Sequence, residues 1–208
     1  MTSRSRIGIV DYGSGNIRSV CNAVETTGAA VELVRQARDV EGCTHVILPG
    51  VGAFGFCADR LRASGLLPAL TQFALNELKP LLGICVGMQL MADYSEELGR
   101  HEGLGWVGGS VRTLERIADR SIRVPHVGWN EVVFKDAFGL FQAGEVIDFY
   151  FDHSFAFSDV EPQRELATCS HGRLFSAVIR RSNIVAVQFH PEKSQVAGMR
   201  LLKSFIAM

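Results

Sequence analysis

The sequence predicts an α/β domain with a central, mostly parallel sheet, antiparallel additions and flanking helices. Three observations predict it. In the first half of the chain, short apolar runs bounded by turn residues alternate with segments of helical period, and strand–helix–strand alternation pairs successive strands in parallel. From about residue 103 the helical segments give way to closely spaced strand candidates, the texture of antiparallel pairing. The 208 residues are 47% apolar, ample for one substantial core.

Residues 7–10 are the first strand candidate, ended by the turn-rich Asp11-Tyr12-Gly13-Ser14-Gly15-Asn16. Ile17, Val20, Cys21 and Val24 recur at i, i+3, i+4 and i+7, so a helix follows, and Gly28 supplies its stop. Residues 30–34 and 45–48 are the next strands, the second closed by Pro49-Gly50-Val51-Gly52. Helical segments at 54–63 and 66–78 lead to Pro80 and the apolar strand 81–84, after which Cys85 and Gly87 open another helix. Further strands are expected at 107–114, 132–134, 146–151, 165–169, 175–179 and 184–189. A last helix at 194–207 carries Val196, Met199, Leu202, Phe205 and Ile206 on one face, the face expected to dock on the sheet. No repeat, linker or low-complexity stretch interrupts this pattern. One domain over residues 1–208 is expected, with residues 1–6 a disordered extension.

Composition excludes several classes. Lys and Arg number 21 against 22 Asp and Glu, a net charge of −1 with both signs interspersed, which argues against nucleic-acid binding by broad electrostatics. The longest run without a charge or a break, residues 81–92, is far short of the roughly 20 residues needed to cross a bilayer. The apolar run near the N-terminus is too short for a signal peptide, so a cytoplasmic protein without membrane attachment is expected. The five cysteines are widely spaced, without a Cys-x-x-Cys pair, and no two of the six histidines stand at i, i+4. Reduced thiols, no metal and no cofactor are the expectation.

The chemistry is concentrated in Gly83-Ile84-Cys85-Val86-Gly87. A cysteine between an apolar strand and a helix, flanked two residues away by glycines, has the layout of a nucleophile elbow, a turn so tight that flanking side chains would collide. Its sulfur is expected at a helix N-terminus, where unpaired N–H groups and the helix dipole favour thiolate. The alternative is a buried core cysteine, the reading that fits Cys21 on its apolar helix face. A cysteine nucleophile needs a base. His190 ends an apolar strand, where parallel sheets build their sites, and Glu192, held by the intervening Pro191, is placed to orient the imidazole. Donors for a developing oxyanion are expected from the Val86 N–H and from the glycine-rich backbone at Pro49-Gly50-Val51-Gly52.

Gly83-Ile84-Cys85-Val86-Gly87-Met88-Gln89 together with Gln188-Phe189-His190-Pro191-Glu192-Lys193-Ser194 resembles the triad, or class I, glutamine amidotransferases. Asp11-Tyr12-Gly13-Ser14-Gly15-Asn16, Leu48-Pro49-Gly50-Val51-Gly52-Ala53-Phe54, Pro125-His126-Val127-Gly128-Trp129-Asn130 and Tyr150-Phe151-Asp152-His153-Ser154 narrow the resemblance to the glutaminase-subunit family of imidazole glycerol phosphate synthase. These blocks span nearly the whole chain.

The resemblance implies a flavodoxin-like amidotransferase fold in which Cys85 attacks the glutamine carboxamide, His190 shuttles protons and Glu192 orients it. It further implies that Gln89, Glu97, Gly52, His153 and Ser154 hold the substrate, and that the Val51 and Val86 N–H groups form the oxyanion hole. It implies a partner, a (β/α)8-barrel cyclase subunit that receives the ammonia in a heterodimer, with Asn16, His126, Trp129 and Lys193 at positions facing it. Ordinary loop residues, and for Trp129 a core aromatic, are the competing readings. Two positions depart from the family: Asp152 stands where an aliphatic residue is common, and Phe155 where tyrosine is common. Alternation puts Asp152 on the strand face shared by Asp148 and Tyr150. A related glutaminase type that supplies ammonia for amidino-sugar synthesis has nearly the same motifs. A nucleotide-binding module is disfavoured, since Arg18 occupies the third small-residue position of the dinucleotide pattern begun by Gly13-Ser14-Gly15.

Overall fold

Fully apolar runs closed by turn residues become the buried strands of this protein, whose computed structural model describes residues 5–117 and 122–208. In chain order, β1 (Arg6–Val10), α1 (Ile17–Glu25), β2 (Ala30–Val34), β3 (His45–Gly50), α2 (Phe54–Ala63) and α3 (Leu67–Thr71) lead to β4 (Leu81–Cys85) and α4 (Val86–Gln89). There follow β5 (Tyr94–Ser95), β6 (His101–Glu102), β7 (Ser110–Thr113), α5 (Leu114–Ile117), β8 (His126–Phe134), β9 (Val146–His153) and β10 (Phe155–Ser158). β11 (Glu165–His171), β12 (Arg173–Arg181), β13 (Ile184–Val187) and α6 (Gln195–Ile206) complete the chain.

The main sheet has nine strands in the order β2-β1-β3-β4-β13-β12-β11-β8-β9. β2, β1, β3, β4 and β13 are parallel neighbours, and β13, β12, β11, β8 and β9 pair antiparallel. The sheet is thus evenly mixed rather than mostly parallel, because β13 returns beside β4 and carries the second half of the chain with it. A second sheet, β10-β7-β5-β6, was not foreseen; its strands of two to four residues are too short for alternation to reveal. Aromatic side chains fill the antiparallel half of the core, with Phe149 stacked on Phe189 at 3.8 Å and Phe134 on Phe141 at 4.3 Å.

Four expectations need correction. Arg6, expected in a disordered extension, opens β1, and the Ser5 carbonyl accepts from Ala30 N–H; residues 1–4 lie outside the described residues. The helix expected over 66–78 is a short α-helix that passes into a π-helical turn, Gln72–Asn76. There Glu77 N–H bonds the Gln72 carbonyl five residues back, while Asn183 Nδ2 takes the Ala74 carbonyl away from the α-helical ladder and also binds the Lys79 carbonyl just past the turn. The helix after Cys85 is a single turn, because the carbonyls of Leu90, Met91 and Ala92 are taken by the N–H groups of Leu104, Val107 and Gly105. Finally, Val196 is 75% exposed while Ala197, Gly198, Leu201, Leu202 and Phe205 are buried. Lacking a side chain, Gly198 lies against the Pro191 carbonyl, where a Cβ would stand 1.9 Å away, and this close approach turns Val196 to solvent. Among the described residues no helix is long and apolar enough to cross a membrane.

Candidate active site

Cys85 sits at the end of the central strand β4 with φ +54° and ψ −113°, a backbone conformation that costs a non-glycine residue about 1–3 kcal/mol. The surroundings hold it there. A Cβ on Gly83 would stand 2.9 Å from the Gly87 carbonyl oxygen, and one on Gly87 would stand 1.8 Å from the Leu48 carbonyl oxygen. The flanking glycines therefore let the elbow fold on itself and let α4 press against β3. The one-turn α4 has little dipole, so the expected dipole assistance to the thiolate is small; the histidine supplies it instead.

His190 follows β13, the parallel neighbour of β4, and its backbone is fixed to β9 on two sides. His190 N–H donates to the Tyr150 carbonyl at 2.9 Å, and Ser194 Oγ donates to the His190 carbonyl while accepting from Tyr150 N–H. Nδ1 of His190 lies 2.8 Å from Oε1 of Glu192, both side chains being buried. The Cys85 sulfur is close enough to the imidazole to act on its protonation, and with Nδ1 taken by Glu192 the nitrogen left free is Nε2. Burial alone would lower the pKa of His190, but the contacts with Cys85 and Glu192 outweigh it and raise it to about 10. The imidazolium is the form that stabilises a neighbouring thiolate.

A cavity of about 360 Å³ opens above the sulfur. It is lined by Cys85, His190, Val51, Gly52, Val86, Gln89, Glu97, His153 and Ser154, so the sequence-predicted substrate and oxyanion residues converge on one space, with Glu192 behind His190. Pro125, Asp152, Phe155 and Lys193 complete the lining. Glu97 Oε2 accepts the Phe54 N–H at 2.7 Å, tying the cavity wall to the first residue of α2. Both N–H bonds of the Gln89 amide are spent, on the Phe155 carbonyl and on Gln188 Oε1, so Gln89 offers the cavity an acceptor. The Val51 N–H is directed at Ser14 Oγ, 3.5 Å away, and the Val51 carbonyl accepts from Ser14 Oγ at 2.7 Å and Cys57 Sγ at 3.3 Å. In this conformation the second expected oxyanion donor is turned toward Ser14.

The residues expected to face a partner divide. Trp129 is 48% exposed, which removes its reading as a core aromatic, and it meets Tyr150 edge-on at 6.2 Å. Lys193 Nζ lies 3.6 Å from Asp152 Oδ2 and over the Tyr150 ring at the cavity mouth. Asn16 precedes α1, half-buried and without a side-chain cap. His126 is buried, at 5% exposure, and is not a surface contact. It stacks between Phe151 at 4.7 Å and His171 at 4.2 Å, and it bonds His153. Because the Phe155 carbonyl can only accept, His153 Nδ1–H donates to it; His126 Nδ1–H then donates to His153 Nε2, and Asn130 Nδ2–H to His126 Nε2. Burial lowers the pKa of His153 to about 3 and, with His171 nearby, that of His126 to about 4, so both are neutral.

Sequence reasoning quoted Gln188 within a motif but gave it no role. It is buried, and its Nε2 lies 3.7 Å from Cys85 Sγ. The signal was available: a glutamine directly after four buried apolar residues needs partners for its amide.

Comparison with known proteins agrees with this geometry. The family described as Glutamine amidotransferase class-I matches residues 8–208. The imidazole glycerol phosphate synthase subunit HisH of Rhodospirillum rubrum is 46% identical, over 97% of this chain and 98% of the relative, and that of Zymomonas mobilis is 47% identical, over 97% and 95%. The chloroplastic imidazole glycerol phosphate synthase hisHF of Arabidopsis thaliana is 41% identical over 99% of this chain, which corresponds to 34% of that longer protein. Among solved structures, a glutamine amidotransferase superposes with TM-score 0.75 at 20% identity, covering 97% of both chains, and PurLQS from Thermotoga maritima with 0.76 at 17%, covering 99% of both; these show the shared fold. With a cysteine and a histidine lining one cavity, a carboxylate bonded to that histidine, and relatives of nearly half identity end to end, the chain belongs to the class-I glutamine amidotransferase family, among the HisH subunits of imidazole glycerol phosphate synthase.

Proposed function

We propose that this chain is the glutaminase subunit of an imidazole glycerol phosphate synthase, hydrolysing glutamine through Cys85, His190 and Glu192. The observation that carries the reading is the buried Glu192–His190 pair, 2.8 Å apart, with the imidazole and the Cys85 thiol lining one cavity of about 360 Å³. The thiolate attacks the side-chain carbonyl carbon, the carbonyl electron pair moves to oxygen, and His190 gives its proton to the departing nitrogen, so ammonia leaves and a γ-glutamyl thioester remains. Neutral His190 then takes a proton from water as it attacks the thioester, and glutamate is released. Glu97 presents a carboxylate to the substrate's α-ammonium group, and Gln89 an acceptor to its carboxamide. The Val86 N–H is the first oxyanion donor, and the Val51 N–H joins it once its segment turns.

The ammonia passes to a cyclase subunit, a (β/α)8 barrel in a heterodimer, which uses it to form imidazole glycerol phosphate and AICAR from a phosphoribulosyl-formimino ribonucleotide. The fused plant relative supports this pairing. Asp152 and Lys193 on the cavity lining, with Tyr150 beneath Lys193 and the exposed Trp129 edge-on to Tyr150, are the surface offered to that partner, where an exposed tryptophan suits an anchor. The test mixes the chain with the cyclase subunit of the same cell and measures glutamate release. Formimino ribonucleotide accelerates release, and Cys85→Ser lowers it at least about a thousandfold. Indifference to the ribonucleotide assigns the chain to another ammonia-requiring synthase.

A further inference from the structure

The mechanism above leaves one group touching the nucleophile unused. Gln188 is fully buried and does not line the cavity, yet its Nε2 lies 3.7 Å from Cys85 Sγ, while its Oε1 accepts from Gln89 Nε2 at 3.0 Å. Carboxamide ends are easily interchanged, so their orientation has to be argued from the partners. Here it follows from a fixed point. The Phe155 carbonyl is an acceptor with no alternative, and it receives Gln89 Nε2 at 2.8 Å. Gln89 therefore turns its NH2 toward both Phe155 and Gln188. Facing an N–H, Gln188 must offer its oxygen, and its own NH2 is left pointing at the sulfur. Reversing the amide would set two N–H groups against each other and a carbonyl oxygen against the thiolate, each a repulsive contact in a site without solvent to soften it.

We propose that Gln188 is a further catalytic residue for the glutaminase reaction: its amide N–H donates to the Cys85 sulfur and stabilises the thiolate, with Gln89 as the positioning residue that holds the amide in the donating orientation. An N–H bond to a charged sulfur is stronger than one to a neutral thiol, so the contact favours the attacking form before substrate arrives. His190 and Gln188 then both act on the same sulfur, one a group that carries the proton and one a donor that cannot release it. As the thioester forms, sulfur loses its charge and the Gln188 contact weakens. The inference rests on the proposed function for its meaning, but the bond itself is read without glutamine.

The experiment is the pH profile of Cys85 alkylation by iodoacetamide, in the chain and in Gln188→Met, which keeps the side-chain length and removes the donor. Besides His190 and its partner Glu192, the titratable groups around the sulfur are Tyr12 and Cys57, both pushed up by burial, and Glu97, Asp152, His153 and Lys193 of the cavity lining, all of which the variant keeps. Alkylation at pH 7 falls about tenfold in the variant, and the gap narrows below threefold by pH 9. In the cyclase-activated assay kcat for glutamate release falls about tenfold, with KM for glutamine within twofold. An alkylation profile unchanged from pH 6 to 9, or one lowered equally at every pH, overturns the proposal. Should Gln188→Met not fold, Gln89→Met frees the amide and reads the same quantity: a smaller shift in the same direction is expected, and no shift overturns the proposal. Alkylation that shifts in a chain whose wild type releases no glutamate upholds the bond and refutes the glutaminase reading alone.

Discussion

Replacing Gly87 with alanine would place a methyl group 1.8 Å from the Leu48 carbonyl oxygen and 2.8 Å from its carbonyl carbon. These are backbone atoms of the central strand β3, so no side-chain rotation relieves the clash. To restore even 3.0 Å, α4 and β3 must part by about 1.2 Å. The sheet register ties β3 to β4 through Gly50 and Cys85, so the displacement reaches both the nucleophile and the segment that carries Val51. Overpacking of this kind costs about 1–3 kcal/mol of stability, and a shift near 1 Å at a reacting centre costs about a hundredfold in rate. We expect Gly87→Ala to fold with a lowered urea midpoint and to release glutamate, in the presence of the cyclase subunit, about a hundredfold more slowly. Wild-type release combined with a wild-type midpoint would show that the close approach of α4 to β3 is not needed for the site, and the elbow argument would fail.

Three further outcomes are expected. Ser14→Ala removes the hydroxyl that holds the Val51 carbonyl, and glutamate release by the chain alone rises severalfold, up to about tenfold, while that of the activated complex stays within twofold; a chain that stays equally slow alone excludes Ser14 as the restraint. His190 titrates at about 10 when folded against 6.5 as the ordinary value, so its contribution to stability is complete below about pH 6.5 and lost as pH rises toward 10. Glu192→Gln removes one of its anionic partners, and the fall in urea midpoint from pH 7 to 10 is smaller in the variant; equal falls contradict the assignment. His126 and His153 titrate below 6.5 when folded, so the unfolded chain takes up protons first and stability drops as pH falls from 6.5 toward 4. His126→Phe keeps a ring against Phe151 and His171 and lessens that drop between pH 7 and 4.5, whereas an undiminished drop would place its origin elsewhere.

How far the sequence could be read depended on whether the deciding physics was local. β4 and the start of α1 were legible within a residue, because an apolar run set off by Pro80 and a 3.6-residue period are properties of one segment. Gly83, Cys85, Gly87, His190 and Glu192 were legible for the same reason, each being a residue type with little other use at a strand end. What lay between segments was hidden. The π-helical turn gives the carbonyl of Ala74 to Asn183, over a hundred residues away in sequence. The outward turn of Val196 follows from the contact of Gly198 with Pro191, and the burial of His126 from a stack built by β8, β9 and β11. Gln188 gained a role only when the fold carried it to Cys85.

Of the chain's crossings between the two sheets the shortest is where β9 ends at His153 and β10 begins at Phe155, with Ser154 as the sole residue between them, and all three line the cavity. One wall of the reaction chamber is therefore also the hinge pin of the architecture. One residue added at position 154 shifts β10 against the wall of the cavity that holds the catalytic sulfur. The length of this seam is consequently under tighter constraint than the chemistry of its side chains.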